Sequence, residues 1–402
     1  MAEKDGLRYV WVDTCCIDKS NNTELSEAIN SMFAWYAGAV VCYALLSDVS
    51  ASPALSGLNS TGQDALEQLS KSRWFTRGWT LQELLAPPKM IFYASDWTTL
   101  GARDSLLQVL AKITGVDAAV LSQEKELSAC SVAQKLSWAS RRSTTRTEDL
   151  AYSLLGILNV KMSLLYGEDQ DAFRRLQEMT LKNNGDLSIL AWSHVEPSRR
   201  SNLFAYSPAD FFGCGRVILD SSAQATSEHW MTNRGLRGTM SVVGGYEEDQ
   251  TRSSVFVLLG CHDEGHSSKH TALRLTCSGT SLADQDNVLT VEPYEERITQ
   301  ASLLSRLKHL SPFEVENARV QRTTILYNAQ PMSATQAPGK DQGSVTMTGF
   351  TLAEEKPSEV RWIGMRRRRA LTLVAVLVGL GIVAAAVGGY FASRSHSDHN
   401  VP

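Results

Sequence analysis

At 402 residues the chain has room for roughly two or three domains and a sizeable core. Its composition, 43% hydrophobic and 20% charged, is that of an ordinary globular protein, and a net charge of −4 gives nucleic acid no overall electrostatic hold. Seven cysteines, an odd number without framework spacing, point to reduced thiols, and the opening residues Met-Ala-Glu-Lys-Asp-Gly-Leu show no apolar core of a cleavable signal peptide.

In chain order, Tyr9 to Val12 is an uncharged aromatic and β-branched run that suits a buried strand. It ends in Asp13, Thr14, Cys15, Cys16 and Asp18, polar groups of the kind that gather at the carboxyl end of a strand in an open α/β sheet. Leu25, Ala28, Ile29, Met32, Phe33 and Tyr36 then recur at helical spacing, with Asn22 or Thr23 as cap. Ala39 to Leu46 reads as a second buried strand, so strand, helix and strand make a βαβ unit. After a Ser/Gly/Pro loop come Arg73-Trp-Phe-Thr-Arg77 and a short helix over Trp79 to Leu85, stopped by Pro87 and Pro88. Lys89 to Ala94 is a third strand, and Leu106, Leu107, Leu110 and Ile113 mark a helix ending near Gly115.

Ser131 to Leu158 and Ala172 to Leu181 read as mainly helical, with Arg141, Arg142, Arg146, Glu148 and Asp149 clustered near Trp138. Those arginines can take a phosphate or a partner's acids, or can pair with Glu148 and Asp149. After about Pro197 short β-rich runs alternate with Gly, Ser and Asp turns: Val217 to Leu219, Met240 to Val243, Val255 to Leu259, Ala272 to Leu275 and Val288 to Val291. Cys261-His-Asp-Glu264 with His266 and His270 has the ingredients of a metal cluster, but its glycine and serines read as an exposed hairpin loop, so no metal site is assigned. No phosphate-cradling Gly-rich loop stands between a strand and a helix.

Residues 331–365 have the composition of a linker, and 370–391 form a charge-free apolar stretch long enough to span a bilayer. Arg366 to Arg369 precede it directly, which predicts a single-pass tail anchor with the large N-terminal part in the cytosol. Gly381, Ala385 and Gly389 form a small-residue row able to pair two spans.

Several blocks together resemble the fungal heterokaryon-incompatibility (HET) domain. They are Tyr9-Val-Trp-Val-Asp-Thr-Cys-Cys-Ile-Asp-Lys19, Glu27 to Tyr36, Ser72-Arg-Trp-Phe-Thr-Arg-Gly-Trp-Thr-Leu-Gln-Glu-Leu-Leu-Ala-Pro87, Ser137-Trp-Ala-Ser-Arg-Arg142 and Glu148-Asp-Leu-Ala-Tyr-Ser-Leu-Leu-Gly156. The resemblance covers about the first 190 residues, in the family's order. It implies an α/β fold, a parallel sheet distantly similar to the Toll/interleukin-receptor (TIR) fold, over residues 1–125. A helical extension over 126–195, a β-rich companion domain over 196–330, the linker and one transmembrane helix follow. It implies non-self recognition leading to programmed cell death in fused fungal cells, through protein partners of like domain or a homo-oligomer. The family's usual first strand would lie upstream of Tyr9, where this sequence has only Met1 to Arg8, so an N-terminally truncated, inactive copy is a further expectation.

Some proteins of the TIR fold cleave NAD with one glutamate, and this resemblance makes Glu83 the candidate catalytic residue and NAD the candidate substrate. Asp13, Cys15, Asp18, Arg77 and Trp79 are the candidate substrate-binding residues, with Trp79 as a stacking surface. From the residues alone, Asp13 and Asp18 can equally make turn bonds, the cysteines can pack as small apolar groups, and Glu83 can pair with Arg73 or Arg77. A Cys–His mechanism finds no support, because no histidine precedes His194.

Overall fold

The computed structural model describes residues 1–51, 63–193, 203–220, 229–232, 235–249, 252–266, 270–277, 287–290, 307–310 and 319–326. The expected linker and the apolar stretch 370–391 lie outside the described residues. Among the described residues no helix is long and apolar enough to cross a membrane.

The N-terminal run departs from expectation. Tyr9 and Val10 are 53% and 59% exposed and form no strand. Backbone becomes a strand only by bonding to a neighbour, and no described strand lies beside this run. After Val12 the chain instead coils into one helical turn, α1 (Asp13–Cys16), which buries none of its own residues. Its anchor is Trp11, whose indole meets Trp35 and Tyr36 edge-on with ring centroids 5.3 and 5.6 Å apart. Both partners belong to α2 (Asn22–Ala37), whose Ala28, Ile29 and Met32 are buried. The cap of α2 is Asn21, one position before the expected pair, accepting from the Thr23 and Glu24 amides at 3.1 and 3.2 Å.

A parallel crossover does form, one step later than the sequence suggested. β1 (Cys42–Leu46) runs parallel to β2 (Met90–Ala94), joined through α3 (Gln63–Ser70), a 3₁₀ turn over Arg73–Thr76 and α4 (Thr80–Leu85). A strand absent from the sequence reading, β3 (Thr99–Ala102), then pairs antiparallel with β2 through a bulge at Phe92/Tyr93, so the sheet β1-β2-β3 is mixed. Ala44, Leu46, Met90, Phe92 and Ala94 bury its inner side.

α5 (Leu107–Thr114) ends at Gly115, where the sequence places the helix end, and the glycine takes the left-handed conformation at φ +71°. α6 (Ala118–Leu121), α7 (Val132–Ser137), α8 (Asp149–Tyr152) and α9 (Asp171–Asn184) follow. Ser131 to Leu158 is less helical than expected, because its hydroxyls turn back onto the chain. Ser140 Oγ donates to Ser137 O at 2.6 Å and Thr144 Oγ1 to Arg146 O at 2.5 Å, while Ser143 pairs its backbone with Thr76 and Gly78.

The β-rich runs form strands. β4 (Val217–Leu219), β5 (His229–Thr232), β6 (Gly235–Asp249), β7 (Arg252–Asp263), β8 (His270–Cys277), β9 (Asn287–Thr290), β10 (Leu307–Leu310) and β11 (Arg319–Leu326) make a sheet ordered β10-β8-β9-β11-β6-β7-β4, with β5 on β6. The Cys261–Asp263 segment, expected in an exposed loop, is the end of β7. A bulge carries the strand past Gly260 to pair with β4, burying Cys261 and setting His262 Nδ1 2.5 Å from Asp220 Oδ1.

One apolar core runs from Ile17 to Leu273. Ser131 Oγ donates to Val217 O at 2.5 Å and Gln134 Nε2 to Gly215 O at 3.1 Å, tying α7 to the start of the second sheet. Among the described glycines the tightest approach is Gly156 against α2, where an added Cβ would fall 2.1 Å from Phe33 Cβ. Gly156→Ala is therefore expected to destabilise the protein by about 3 kcal/mol in urea unfolding, since neither backbone can give way cheaply.

Candidate functional site

α4 is only six residues long and cannot hold itself in water. Its entry is clamped. The Gly78 amide donates to Ser143 O at 2.9 Å and the Ser143 amide to Thr76 O at 2.7 Å. Gly78 is needed there, because a Cβ would meet Thr144 Cγ2 at 2.5 Å. Gln82 Nε2 donates to Ser153 O at 2.8 Å across the core. Its exit, where Pro87 and Pro88 stop the helix, leaves carbonyls that need donors. Arg103, 2% exposed, supplies them: its guanidinium donates to Leu84 O, Pro87 O and Pro88 O at 3.1, 2.9 and 3.2 Å. Gln123 Nε2 adds a bond to Pro87 O at 3.0 Å.

Thr80, Leu81, Gln82, Leu84 and Leu85 are buried, so Glu83 is the one α4 side chain turned toward a partly open place. Five groups face it. The Tyr36 hydroxyl from α2 hydrogen-bonds its carboxyl, Asp13 approaches from α1, Cys42 from β1, Arg77 from the turn before α4, and Arg142 from the segment after α7. Burial first and then the Asp13 charge push the Glu83 carboxyl up to about 7, against the opposing pull of Arg77, the Tyr36 bond and Arg142. Burial and the Glu83 charge push the Cys42 thiol up to about 12 and the Tyr36 phenol higher still, so both stay neutral. Burial brings the Arg142 guanidinium down to about 10, which leaves it charged at neutral pH. Glu83 is thus an acid half-ionised near neutrality. It can give or take a proton, or set a negative charge beside a developing cation.

Of the residues singled out from sequence, Asp13 and Arg77 are brought to Glu83 and the others are not. Cys15 is exposed on α1 and its thiol is raised, by desolvation and then by Cys16 beside it, which makes it no activated nucleophile. Asp18 closes an Asx turn, accepting from the Ser20 amide and hydroxyl at 2.9 and 2.6 Å. The Trp79 side chain hydrogen-bonds Asp149, which also accepts from Tyr166 at 3.0 Å. Arg73, an expected partner of Glu83, pairs with Asp48 at 3.4 Å.

Tyr36, Cys42 and Arg142 were not legible as site residues. Tyr36 and Cys42 sit in apolar patterns, and Arg142 reads with Arg141 and Arg146 as one cluster. The structure separates the three arginines: Arg141 lies over the Phe212 ring and Arg146 over the Tyr166 ring, each 4.5 Å from the centroid, while Arg142 turns inward. Glu148 accepts from the Gly167 and Asp169 amides instead of binding an arginine directly. An open polar groove along α2, lined by Asn22, Thr23, Ser26, Glu27, Asn30 and Ser31, does not include Glu83.

A carboxyl raised on folding favours the folded state most when protonated. Its contribution is complete below about pH 4.5 and is lost as pH rises through about 7. For a fully buried group the difference would be about 3 kcal/mol, and solvent reaching the half-buried side chain reduces it to about 2 kcal/mol. Glu83→Gln, which mimics the neutral acid, is expected to match the natural protein in stability near pH 5 and to exceed it by about 2 kcal/mol at pH 8 in urea titrations at each pH.

Residues 1–64 match the family model described as heterokaryon incompatibility protein (HET). Over 190 residues, 47% of this chain, the sequence is 45% identical to the vegetative incompatibility protein HET-E-1 of Podospora anserina. The aligned part is 14% of that relative, so the chain spans a small fraction of its length. No solved structure matches. Asp13, Tyr36 and Cys42 lie inside the residues the family model matches, and Arg77, Glu83 and Arg142 lie beyond them.

Proposed function

We propose that this chain acts in fungal heterokaryon incompatibility, as a non-self recognition module whose engagement leads to programmed cell death. The observation that carries this reading is the 45% identity over 190 residues to a vegetative incompatibility protein. On this reading the α/β part over 1–125 is a distantly TIR-like signalling domain, supported by its helices 126–195 and followed by the β-rich part 196–330. The parallel pair of β1 and β2 around α4 is consistent with such a sheet. Residues 370–391 tether it to a membrane with these parts in the cytosol, and it works by assembling with like domains. Induced expression of the full chain in a filamentous fungus is expected to arrest growth and admit a vital dye within hours. Normal growth at verified expression, with the protein folded, contradicts the reading.

A second reading is favoured by one observation, the half-ionised Glu83 between cations and Tyr36. Here the chain hydrolyses NAD. The bond between nicotinamide and C1′ of the ribose breaks, nicotinamide leaves with the bonding electron pair, and water adds at C1′ to give ADP-ribose and a proton. The Glu83 carboxylate would stabilise the oxocarbenium that develops. Because the ionised form is required, turnover is expected to rise with pH through about 7 and to fall at least about a hundredfold in Glu83→Gln. Equal consumption of NAD by both proteins contradicts the role of Glu83, and none by either contradicts the enzyme reading and leaves the assembly reading standing.

A further inference from the structure

We propose that Arg142, through its Nη2, is the group that receives the Glu83 carboxylate on ionisation. Arg142 is 7% exposed. Its Nη1 donates to Arg77 O at 2.8 Å and to Thr80 Oγ1 at 3.0 Å, and its Nε donates to Trp138 O at 3.3 Å. The two Nη1 bonds pin the turn that opens α4. They leave Nη2 buried without a hydrogen-bond partner. A buried, charged donor with nothing to bond is rare and costly, and its position calls for an acceptor present in another state of the molecule.

The groups around Glu83 decide which acceptor that is. Asp13 repels a second carboxylate, and Cys42 and Tyr36 are held neutral. Arg77 is exposed, so water screens its attraction. Arg142 is dry, so its charge acts on Glu83 with little screening, and Glu83 in turn is the charge that acts on Arg142. The described geometry, with Nη2 lacking an acceptor, is that of the neutral acid. Arg142 is on this view a positioning residue, fixing the α4 turn with two bonds and holding Nη2 in reserve. Nothing in this depends on what Glu83 does to a substrate.

The test reads protonation rather than turnover, so its failure is distinguishable from failure of the enzyme reading. In the full chain labelled at glutamate carboxyl carbon, Glu83 is identified by the signal lost in Glu83→Gln and is titrated by NMR. Arg142→Gln is expected to raise its midpoint by about one pH unit, a tenfold change in proton affinity, with Tyr36→Phe moving it less and Arg142→Lys restoring part of the shift. An unmoved midpoint in Arg142→Gln, or a larger shift from Tyr36→Phe, overturns the proposal. Should Arg142→Gln fail to fold, the natural protein still decides. The Arg142 guanidinium resonances are expected to shift with the same midpoint as the Glu83 carboxyl, and resonances that stay still across that pH range overturn it.

Discussion

The guanidinium of Arg103, closed under the last carbonyls of α4, is the contact on which the rest of this site depends. A six-residue helix ending in two prolines has no means of satisfying its own carboxyl end. A buried cation beneath those carbonyls works with the helix dipole, and Gln123 adds a second donor. With the exit fixed and the entry clamped on Ser143, the helix has no freedom to turn Glu83 outward. The burial that lifts its carboxyl is therefore enforced by bonds several residues away.

That enforcement sets up a contest of nearly balanced terms at Glu83. Burial and Asp13 favour the neutral acid, while Arg77, Arg142 and the Tyr36 hydroxyl favour the carboxylate. The compromise near neutrality is what a proton-handling or charge-placing group needs, and a surface ion pair would not produce it. Asp13 makes its contribution from α1, a turn that buries nothing and hangs on Trp11. The site thus joins a rigid half, on α4 and Arg142, to a lightly held half at the N-terminal run.

Much of the scaffold was legible in the sequence because it rests on local signals. The α2 stripe, the Pro87–Pro88 stop, Gly115 and the β-rich runs after Val217 all declare themselves within a few residues. Glu83, Arg77 and Asp13 were legible as members of motifs. What failed depends on partners distant in the chain. Tyr9 to Val12 has strand composition, yet strand formation needs a neighbour that composition does not name. Arg142 and Arg103 look like surface charges until the carbonyls they serve, 65 and 19 residues away, are brought to them. The bond from Trp79 to Asp149 likewise joins residues far apart in the chain, and nothing in the sequence names it.

Hydrogen exchange of the full chain at neutral pH, read amide by amide, tests most directly whether α4 is the fixed element. The Leu81, Gln82 and Ala86 amides, bonded to Gly78, Trp79 and Gln82 carbonyls at 3.2, 3.2 and 2.9 Å, should open only with global unfolding. The Cys15 and Cys16 amides, bonded within the exposed α1 turn, should exchange far sooner. Exchange of the α4 amides alongside those of α1 would contradict the account, because Glu83 would then sit on a fraying turn and its buried environment could not persist.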